Sequence, residues 1–498
     1  MGRRPDPAMW RRLVEVAPSG DASLQIQIRR CLAAAILDGR LPAGCALPSS
    51  RALATLLKVS RNTVALAYRQ MVDEGFVIPR ERRGYFVHDQ PAVPAARRPL
   101  PAAAGTPRAP SWLERLSGRL SSGQRNIRKP ADWQRYPFPF VYGQSDPLLF
   151  PVAEWRECSR SALGVREIRD WSADMIDGDD PLLVEQLRSR VLPRRGIWAA
   201  ASQIMITVGA QHALFLLAAL LAAPERTVGV EDPGYPDARN IFALHGATLR
   251  PLAVAPEGHL AEHALAGCDY LYLTPSHQCP MTTTMPLADR ETLLDRARGE
   301  DIVLIEDDYE SELSFHDEPT AALKSLDREG RVVYVGSLSK TLAPGLRLGY
   351  IVGSEELIFE ARALRRLMLR HPPANNQRAT ALFLQLGHHD ALLRRLVRTF
   401  RERAEILAAA LSRHLPGLRF RAPTGGSSLW VQGPAGFDGR RLADAAERAG
   451  VLLEPGDVFF SAPPTPCPFF RLGFSSIRAE AIEPGVRRLA RVIAEDLC

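Results

Sequence analysis

A lysine at the end of a strand-like run has the surroundings that covalent chemistry needs. Lys340 ends the string GSLSK at residues 336–340, which follows the apolar run 332–335, and Arg347 lies seven residues further on. A lysine amine can form a Schiff base with an aldehyde, whereas hydroxyl groups and a guanidinium bind phosphate. The spacing therefore indicates a site for a phosphorylated aldehyde, formed by Lys340, Ser337, Ser339 and Arg347.

An acidic strand end could supply the groups that a pyridine ring on this aldehyde would need. The apolar run 302–305 leads into Glu306-Asp-Asp-Tyr309, and the carboxyl ends of parallel strands line sites in α/β proteins. Asp307 could keep the ring nitrogen protonated, and Tyr309 could donate to a phenolic oxygen. Tyr235, in the string EDPGYP, could cover the ring face. An acidic strand end that is only a solvated turn is the simpler alternative.

A helix start could complete the phosphate site with backbone N–H groups. The strand-like residues 204–207 are followed by a helix that we expect to begin at His212. The residues between them are Gly209, Ala210 and Gln211, together with the preceding valine. The apolar runs with polar residues at their ends predict an α/β domain with a mainly parallel sheet.

Two short helices around a tight turn are predicted near the N-terminus. Ser50 is expected to cap a helix over residues 51–57, and Ser60 to cap a second over residues 61–74 that stops at Gly75. With two strands at 76–78 and 85–87, this is the winged helix-turn-helix pattern, whose second helix enters the major groove of DNA. A small helical domain that binds protein is the alternative. The residues expected to contact double-stranded DNA are Arg51, Ser60, Arg61, Asn62, Thr63, Arg82 and Arg83.

Charge and composition divide the chain. Residues 1–90 hold 14 Lys and Arg against 8 Asp and Glu, and residues 91–130 hold 8 against 1, so the front of the chain suits a polyanion. Six prolines and seven alanines within residues 91–110 indicate an extended linker. We therefore expect a DNA-binding domain over 1–88, a linker over 89–135 and a large domain over 136–498.

The same composition excludes other classes of protein. We find no apolar stretch of about 18 residues and no secretory leader, so we expect a cytoplasmic protein with no membrane partner. The seven cysteines form no Cys-x-x-Cys pair, so neither a metal site nor a disulfide framework is expected.

The front domain resembles a known family. The string RxLAxxLxVSRxTVxxAY at residues 51–68, followed by Glu74-Gly75, resembles the GntR family of winged helix-turn-helix regulators over residues 20–88. The family's wing ends in Gly-x-Gly-Thr-Phe-Val, whereas this chain has Arg-Arg-Gly-Tyr-Phe-Val at residues 82–87, so Arg82 replaces one glycine. The resemblance implies DNA binding.

The large domain resembles the fold-type I enzymes of the class I/II aminotransferase group over residues 136–495, in the order and spacing of the groups above and of RLGF at 471–474. The resemblance implies that pyridoxal 5'-phosphate is bound to Lys340 and that Arg471 holds a ligand carboxylate. A structural salt bridge is the alternative for Arg471. The usual Asn-Pro-Thr-Gly segment reads Cys-Pro-Met-Thr at 279–282. His277 or Gln278 could replace the missing polar contact or be buried for structural reasons.

The fusion of both modules resembles the MocR/GabR family of transcriptional regulators. This implies a homodimer, paired head-to-tail, that binds operators with repeated half-sites and senses an amino compound, which displaces Lys340 to form its own aldimine. The chain is then a regulator rather than primarily an enzyme. A working aminotransferase with an accessory DNA-binding domain, or a DNA-binding dimer without chemistry, are the alternatives. The segment 276–286 is similar to that of family members linked to taurine or to ectoine-derived diamines, and this resemblance implies an effector of that kind.

Overall fold

The computed structural model describes residues 7–14, 16, 23–81, 83–88, 112–116, 120–260, 265–316 and 320–496. Contacts divide the chain into two compact units, Met1–Gly118 and Arg119–Cys498. The division falls inside the segment 89–135 that the composition predicts to be a linker. The domain boundaries given above stay predictions.

The first unit is a winged helix-turn-helix. Its helices are α1 Pro7–Leu13, α2 Leu24–Leu37, α3 Ser50–Leu57, α4 Arg61–Asp73 and α5 Trp112–Arg115, and its strands are β1 Val77–Arg80 and β2 Gly84–Val87. The two strands pair antiparallel and form the wing. Ile28 and Leu32 of α2 are fully buried in the same core as Val64 and Tyr68 of α4. The apolar side chains of α2 and α4 therefore share one core.

The N-terminal cap of α3 differs from the prediction, whereas that of α4 agrees with it. The Ser49 hydroxyl accepts a hydrogen bond from the Ala52 N–H at 3.1 Å, so Ser49 caps α3 and the prediction for Ser50 is wrong. Two adjacent serines precede the same apolar run, and only the backbone geometry separates them. Ser60 is confirmed as the cap of α4, since its hydroxyl accepts from the Thr63 N–H at 3.1 Å.

A seven-stranded sheet forms the centre of the second unit. Its strands are β4 Ile204–Thr207, β5 Thr227–Asp232, β6 Thr248–Ala253, β7 Tyr270–Leu273, β8 Val303–Asp308, β9 Val332–Ser337 and β10 Gly349–Val352. They lie in the order β4-β10-β9-β8-β7-β5-β6. Only β10 runs antiparallel to its neighbours. The mainly parallel sheet is confirmed, and β10 had no signal in the sequence argument.

Helices precede, connect and follow these strands along the chain. They are α6 Leu120–Gly123, α7 Val152–Ala162, α8 Val165–Trp171, α9 Pro181–Gln186, α10 Gly209–Leu221, α11 Pro236–Leu244, α12 Leu287–Gly299, α13 Leu323–Leu326, α14 Glu355–Leu369, α15 Ala374–Gln385 and α16 His388–His414. The helix expected from His212 begins earlier, at Gly209. Residues 209–211 therefore form the first turn of α10, where backbone N–H groups have no partner within the helix.

A smaller antiparallel sheet lies near the end of the chain. Its strands are β11 Arg419–Phe420, β12 Ser428–Gln432, β14 Glu454–Pro455 and β15 Phe469–Gly473, in the order β11-β12-β15-β14. A separate parallel pair joins β3 Phe138–Pro139 to β13 Val451–Leu452. The remaining helices are α17 Gly439–Arg448 and α18 Ala479–Asp496. In the smaller sheet, Glu454 lies directly opposite Arg471, so their side chains are cross-strand neighbours.

The part of the chain that the structure describes contains neither a membrane-spanning helix nor a cluster of metal ligands. No helix there is long and apolar enough to cross a membrane. No group of three or more His, Cys, Asp or Glu side chains there is arranged to hold a metal ion.

Candidate functional site

A cavity of about 360 Å³ lies where β8 and β9 end. It collects side chains from both sheets and from the start of α10. Every residue that the sequence predicted for the ligand site lines it, with the exception of Gly209, which lies behind Arg347. The predicted residues in its wall are Lys340, Asp307, Tyr309, Tyr235, Ala210, Gln211, Ser337, Ser339, Arg347 and Arg471.

The Lys340 amine is held between aromatic rings. Its Nζ lies 4.2 Å from the centroid of the Tyr142 ring and 6.0 Å from that of the Tyr309 ring. Burial lowers the pKa of Lys340 to about 8; Glu310 opposes this shift and Lys129 adds to it. A lysine amine is nucleophilic only when neutral, so the lowered pKa makes Lys340 more reactive towards a carbonyl near neutral pH.

Asp307 has one carboxylate oxygen that the protein leaves free. Its Oδ2 accepts a hydrogen bond from the Tyr272 hydroxyl at 2.8 Å, whereas the buried Oδ1 has no hydrogen-bond partner among the described residues. Burial raises the pKa of Asp307 to about 7, although the Tyr272 hydrogen bond opposes the shift. A cationic N–H group placed in the cavity would satisfy Oδ1 and keep its own proton. The free carboxylate oxygen is a hydrogen-bond acceptor and therefore fits a protonated ring nitrogen.

The opposite end of the cavity presents groups that suit an anion. Gly209 opens α10 with a φ of 74°, and a Cβ there would lie 3.2 Å from Cζ of Arg347. The missing side chain lets the guanidinium approach the helix start, and Arg347 Nη2 donates to the Val208 carbonyl at 3.3 Å. The Ser339 N–H donates to the Ser337 hydroxyl at 3.3 Å. Helix N–H groups, a guanidinium and hydroxyls together fit a phosphate.

Asp237 is a cavity neighbour that sequence reasoning missed. Its Oδ2 accepts hydrogen bonds from the Tyr235 hydroxyl and from Gln211 Nε2, both at 3.2 Å. Asn126 donates to its other oxygen. These contacts fix the two predicted residues, Tyr235 and Gln211, in the cavity wall. Asp237 follows Tyr235 by two residues, but nothing in its own surroundings in the sequence marks it.

Arg471 lies in the cavity wall and is also paired. Its Nε donates to Glu454 Oε2 at 2.7 Å, and its Cζ lies 3.8 Å from the centroid of the Tyr142 ring. The salt bridge that the sequence left open as an alternative therefore exists. Arg471 also lines the cavity. Its pairing with Glu454 is therefore compatible with the predicted role of Arg471 in binding a ligand carboxylate. Glu454 carries no sequence signal, since its pairing depends on strand register.

The residues predicted for DNA contact lie at the starts of α3 and α4 and in the wing. Arg51, Ser60, Arg61, Asn62 and Arg83 are exposed, and Thr63 is half-buried. The Ser60 hydroxyl lies 2.8 Å from the Thr63 hydroxyl, so the cap also orients the first turn of α4. Arg82 lies outside the described residues. These positions remain a prediction of which side chains meet DNA.

Residues 24–87 match the family described as bacterial regulatory proteins of the gntR family, and residues 177–489 match aminotransferase class I and II. The chain is 42% identical over 478 residues, 96% of its length and 98% of the relative's, to the HTH-type transcriptional regulator TauR of Rhodobacter capsulatus. It is 30% identical to the probable rhizopine catabolism regulatory protein MocR of Rhizobium meliloti, covering 94% of this chain and 93% of that one. This chain belongs to the MocR/GabR family of transcriptional regulators.

A solved structure agrees with the class of the second unit. The kynurenine aminotransferase of Pyrococcus horikoshii, solved in complex with PMP, superposes with a TM-score of 0.70 at 25% identity. The match covers 78% of this chain and 98% of the enzyme. In this MocR/GabR chain, a complete fold-type I aminotransferase domain therefore follows the winged helix-turn-helix in the sequence.

This MocR/GabR chain departs from the aminotransferase pattern at Cys279. The Cys279 side chain lines the cavity, and burial raises its pKa to about 12, so it is a neutral thiol. Gln278 is buried and donates to the Pro233 carbonyl at 2.8 Å. His277 Nε2 is buried 3.4 Å from Glu310 Oε2. Gln278 is thus engaged by the protein, which favours a structural role for it, whereas His277 Nε2 has no hydrogen-bond partner among the described residues.

Proposed function

We propose that the protein is a pyridoxal-phosphate-dependent, DNA-binding transcriptional regulator that senses an amino compound. The observation that carries the proposal is the convergence of the Lys340 amine and the unpartnered Asp307 oxygen on one cavity, in a chain whose other unit is a winged helix-turn-helix. When bound, pyridoxal phosphate supplies an aldehyde that an amine can attack and a ring that withdraws electrons.

The geometry supports distinct roles for the residues of the cavity. Lys340 is the covalent anchor, and Asp307 holds the proton at the ring nitrogen. Tyr235 covers one ring face, and Tyr309 donates to the phenolic oxygen. The phosphate is bound by Arg347, Ser337, Ser339 and the first turn of α10, residues 209–211.

The effector would be a primary amine that takes the place of Lys340, which would be released as a free amine, and its acid group would lie near Arg471. Taurine or an ectoine-derived diamine fits this class. The ligand must bind two arrangements of the protein unequally, since only differential affinity shifts an equilibrium between them. The shift would reposition two winged domains of a head-to-tail homodimer on repeated half-sites of the operator, with Arg51, Arg61, Asn62, Arg82 and Arg83 at the DNA.

The absorbance spectrum of the purified protein tests the cofactor step directly. We expect a visible band that amines shift, and borohydride reduction should fix the cofactor on the peptide that contains Lys340. Asp307→Ala and Lys340→Ala should blunt the effector response in an operator-binding assay while DNA binding itself persists. A full effector response in Lys340→Ala would refute covalent sensing.

An aminotransferase with an accessory DNA-binding domain is the second candidate. It is supported by the complete set of Lys340, Asp307 and Arg471 in a domain that spans nearly all of a solved aminotransferase. The two candidates differ in turnover. Repeated production of a keto acid from excess amine supports the enzyme. A single stoichiometric change, whether a spectral shift or one half-reaction, supports the sensor.

A further inference from the structure

A short segment at the beginning of the second unit, residues 124–130, contributes Ile127 and Lys129 to the wall of the cavity; we call it the strap. Ile127 packs against the apolar cluster that includes Cys279, Val458 and Phe459. Asn240 Nδ2 donates to the backbone carbonyl of Arg125 at 3.1 Å. The strap therefore contacts the rest of the second unit through both side chains and backbone, and residues 111–123 separate it in the sequence from the Pro-rich segment 91–110.

The strap brings a second cation to the carboxylate that pairs with Arg471. Lys129 Nζ lies 3.1 Å from Glu454 Oε1 and also donates to the Tyr142 carbonyl. Arg471 Nη2 lies 2.6 Å from Glu454 Oε2. Burial would raise the pKa of Glu454, but Arg471 and Lys129 lower it below its usual value. One buried carboxylate is thus shared by two cations, which leaves one positive charge without a matching anion.

Both cations face the ligand cavity, whereas the carboxylate does not. Lys129 and Arg471 line the cavity that contains Lys340, and Glu454 lines the neighbouring cavity of about 530 Å³. A Cβ on Gly143 would lie 3.1 Å from Lys340 Nζ and 3.6 Å from Lys129 Nζ. The two amines therefore approach the same point, which is close enough for one short ligand to reach both.

We propose that Lys129 is a second acid-binding residue of the effector site, and that an amine effector with a carboxylate or sulfonate bridges Lys129 and Arg471. This rests on the function proposed above. An acid group there supplies the anion that the Lys129–Glu454–Arg471 cluster lacks. Because Lys129 belongs to the strap, the same contact ties ligand occupancy to the segment that leads towards the DNA-binding unit.

The affinity arm of the test compares Lys129→Met with Arg128→Met in the cofactor-loaded full chain. Arg128 is exposed on the same strap, so the pair removes the same charge at adjacent positions. Titrations followed by absorbance use taurine and β-alanine, which carry an acid group, and propylamine, which does not. We expect Lys129→Met to weaken the two acidic probes about tenfold, as for one lost charge-assisted hydrogen bond. Propylamine should be unaffected, as should all probes in Arg128→Met.

The strap arm measures hydrogen exchange of the amides of residues 124–130. Taurine or β-alanine should slow this exchange in the wild-type chain and in Lys129→Arg, which keeps the cation. Neither should do so in Lys129→Met, and propylamine should have no effect in any variant.

Several outcomes would overturn the inference. Equal losses for acidic and acid-free probes in Lys129→Met, or no loss, would show that Lys129 does not bind the acid. Tighter binding of 1,3-diaminopropane than of taurine, abolished by Glu454→Gln, would make Glu454 the ligand instead. If no amine shifts the absorbance of the wild-type chain, the proposed function itself fails and the inference falls with it, a result distinct from a failure of Lys129 alone.

Discussion

Strand β8 carries two neighbouring carboxylates, Asp307 and Asp308, on opposite faces, and their surroundings differ. Asp307 faces the cavity and keeps Oδ1 without a partner among the described residues. Asp308, on the other face, accepts from Arg195 Nε at 2.8 Å and from the Tyr334 hydroxyl at 2.7 Å. Burial raises the pKa of both groups, but Arg195 and Tyr334 bring that of Asp308 below its usual value. Asp308 Oδ1 also has no hydrogen-bond partner among the described residues, so the two carboxylates differ in charge pairing: Asp308 is paired with the Arg195 guanidinium, whereas Asp307 faces the cavity with a hydroxyl as its hydrogen-bond donor.

The largest effect expected on the cavity side follows from removing its amine. Lys340→Ala should abolish covalent retention of pyridoxal phosphate altogether, because no other described lysine approaches both Tyr142 and Tyr309 as Lys340 does. The measurement is the mass of the borohydride-reduced protein. Lys324→Ala is the control, since that lysine pairs with Asp327 at 3.1 Å and should leave the retained mass unchanged. If Lys340→Ala still retained the cofactor covalently, a residue other than Lys340 would be its attachment site.

Asn substitutions on the two faces of β8 test the comparison itself. Asp308→Asn should lower the free energy of unfolding by about 3–5 kcal/mol, because it leaves the buried Arg195 charge unpaired. Asp307→Asn should not lower that free energy, because it removes a buried carboxyl that has no cation partner, yet it should weaken cofactor affinity about 100-fold. Urea unfolding without cofactor and a cofactor titration measure the two quantities. Equal loss of stability in both variants would show that Asp307 and Asp308 contribute equally to folding.

The pH dependence of stability sharpens the same contrast. A carboxyl whose folded pKa is raised to about 7 binds its proton more tightly when folded, so it favours folding at low pH. That contribution should fade as pH rises from about 4 to about 7, by at most about 1.4 kcal/mol per unit. The cofactor-free wild type should therefore lose stability relative to Asp307→Asn across this range. A constant difference between the two would mean that Asp307 is already ionised at low pH.

The smallest effect concerns the first unit. Ser49→Ala should destabilise it by about 1 kcal/mol because the Ala52 N–H loses its acceptor. Ser50→Ala should change its stability by less than about 0.5 kcal/mol. Thermal unfolding compares the adjacent variants, and a reversed order would restore Ser50 as the cap.

The sequence alone predicted the functional residues that lie at the ends of strands. Lys340 and Asp307 were predictable because each follows an apolar run that could only be a buried strand, and parallel strands bring their ends to one edge. Asp237, Glu454 and Lys129 were not, because their positions depend on register and on how a distant segment folds back. The cap at Ser49 failed for a smaller reason, since a helix start is decided by one backbone hydrogen bond.

The free oxygen of Asp307 also affects how long the protein keeps its fold in warm solution. Any compound that satisfies this oxygen binds the folded chain and not the unfolded one, so it raises the melting temperature with its concentration. The melting temperature then measures the fraction of the protein that has ligand bound. In a crude extract, the fraction of this protein that survives a brief heating step would report how much of it had been loaded with cofactor.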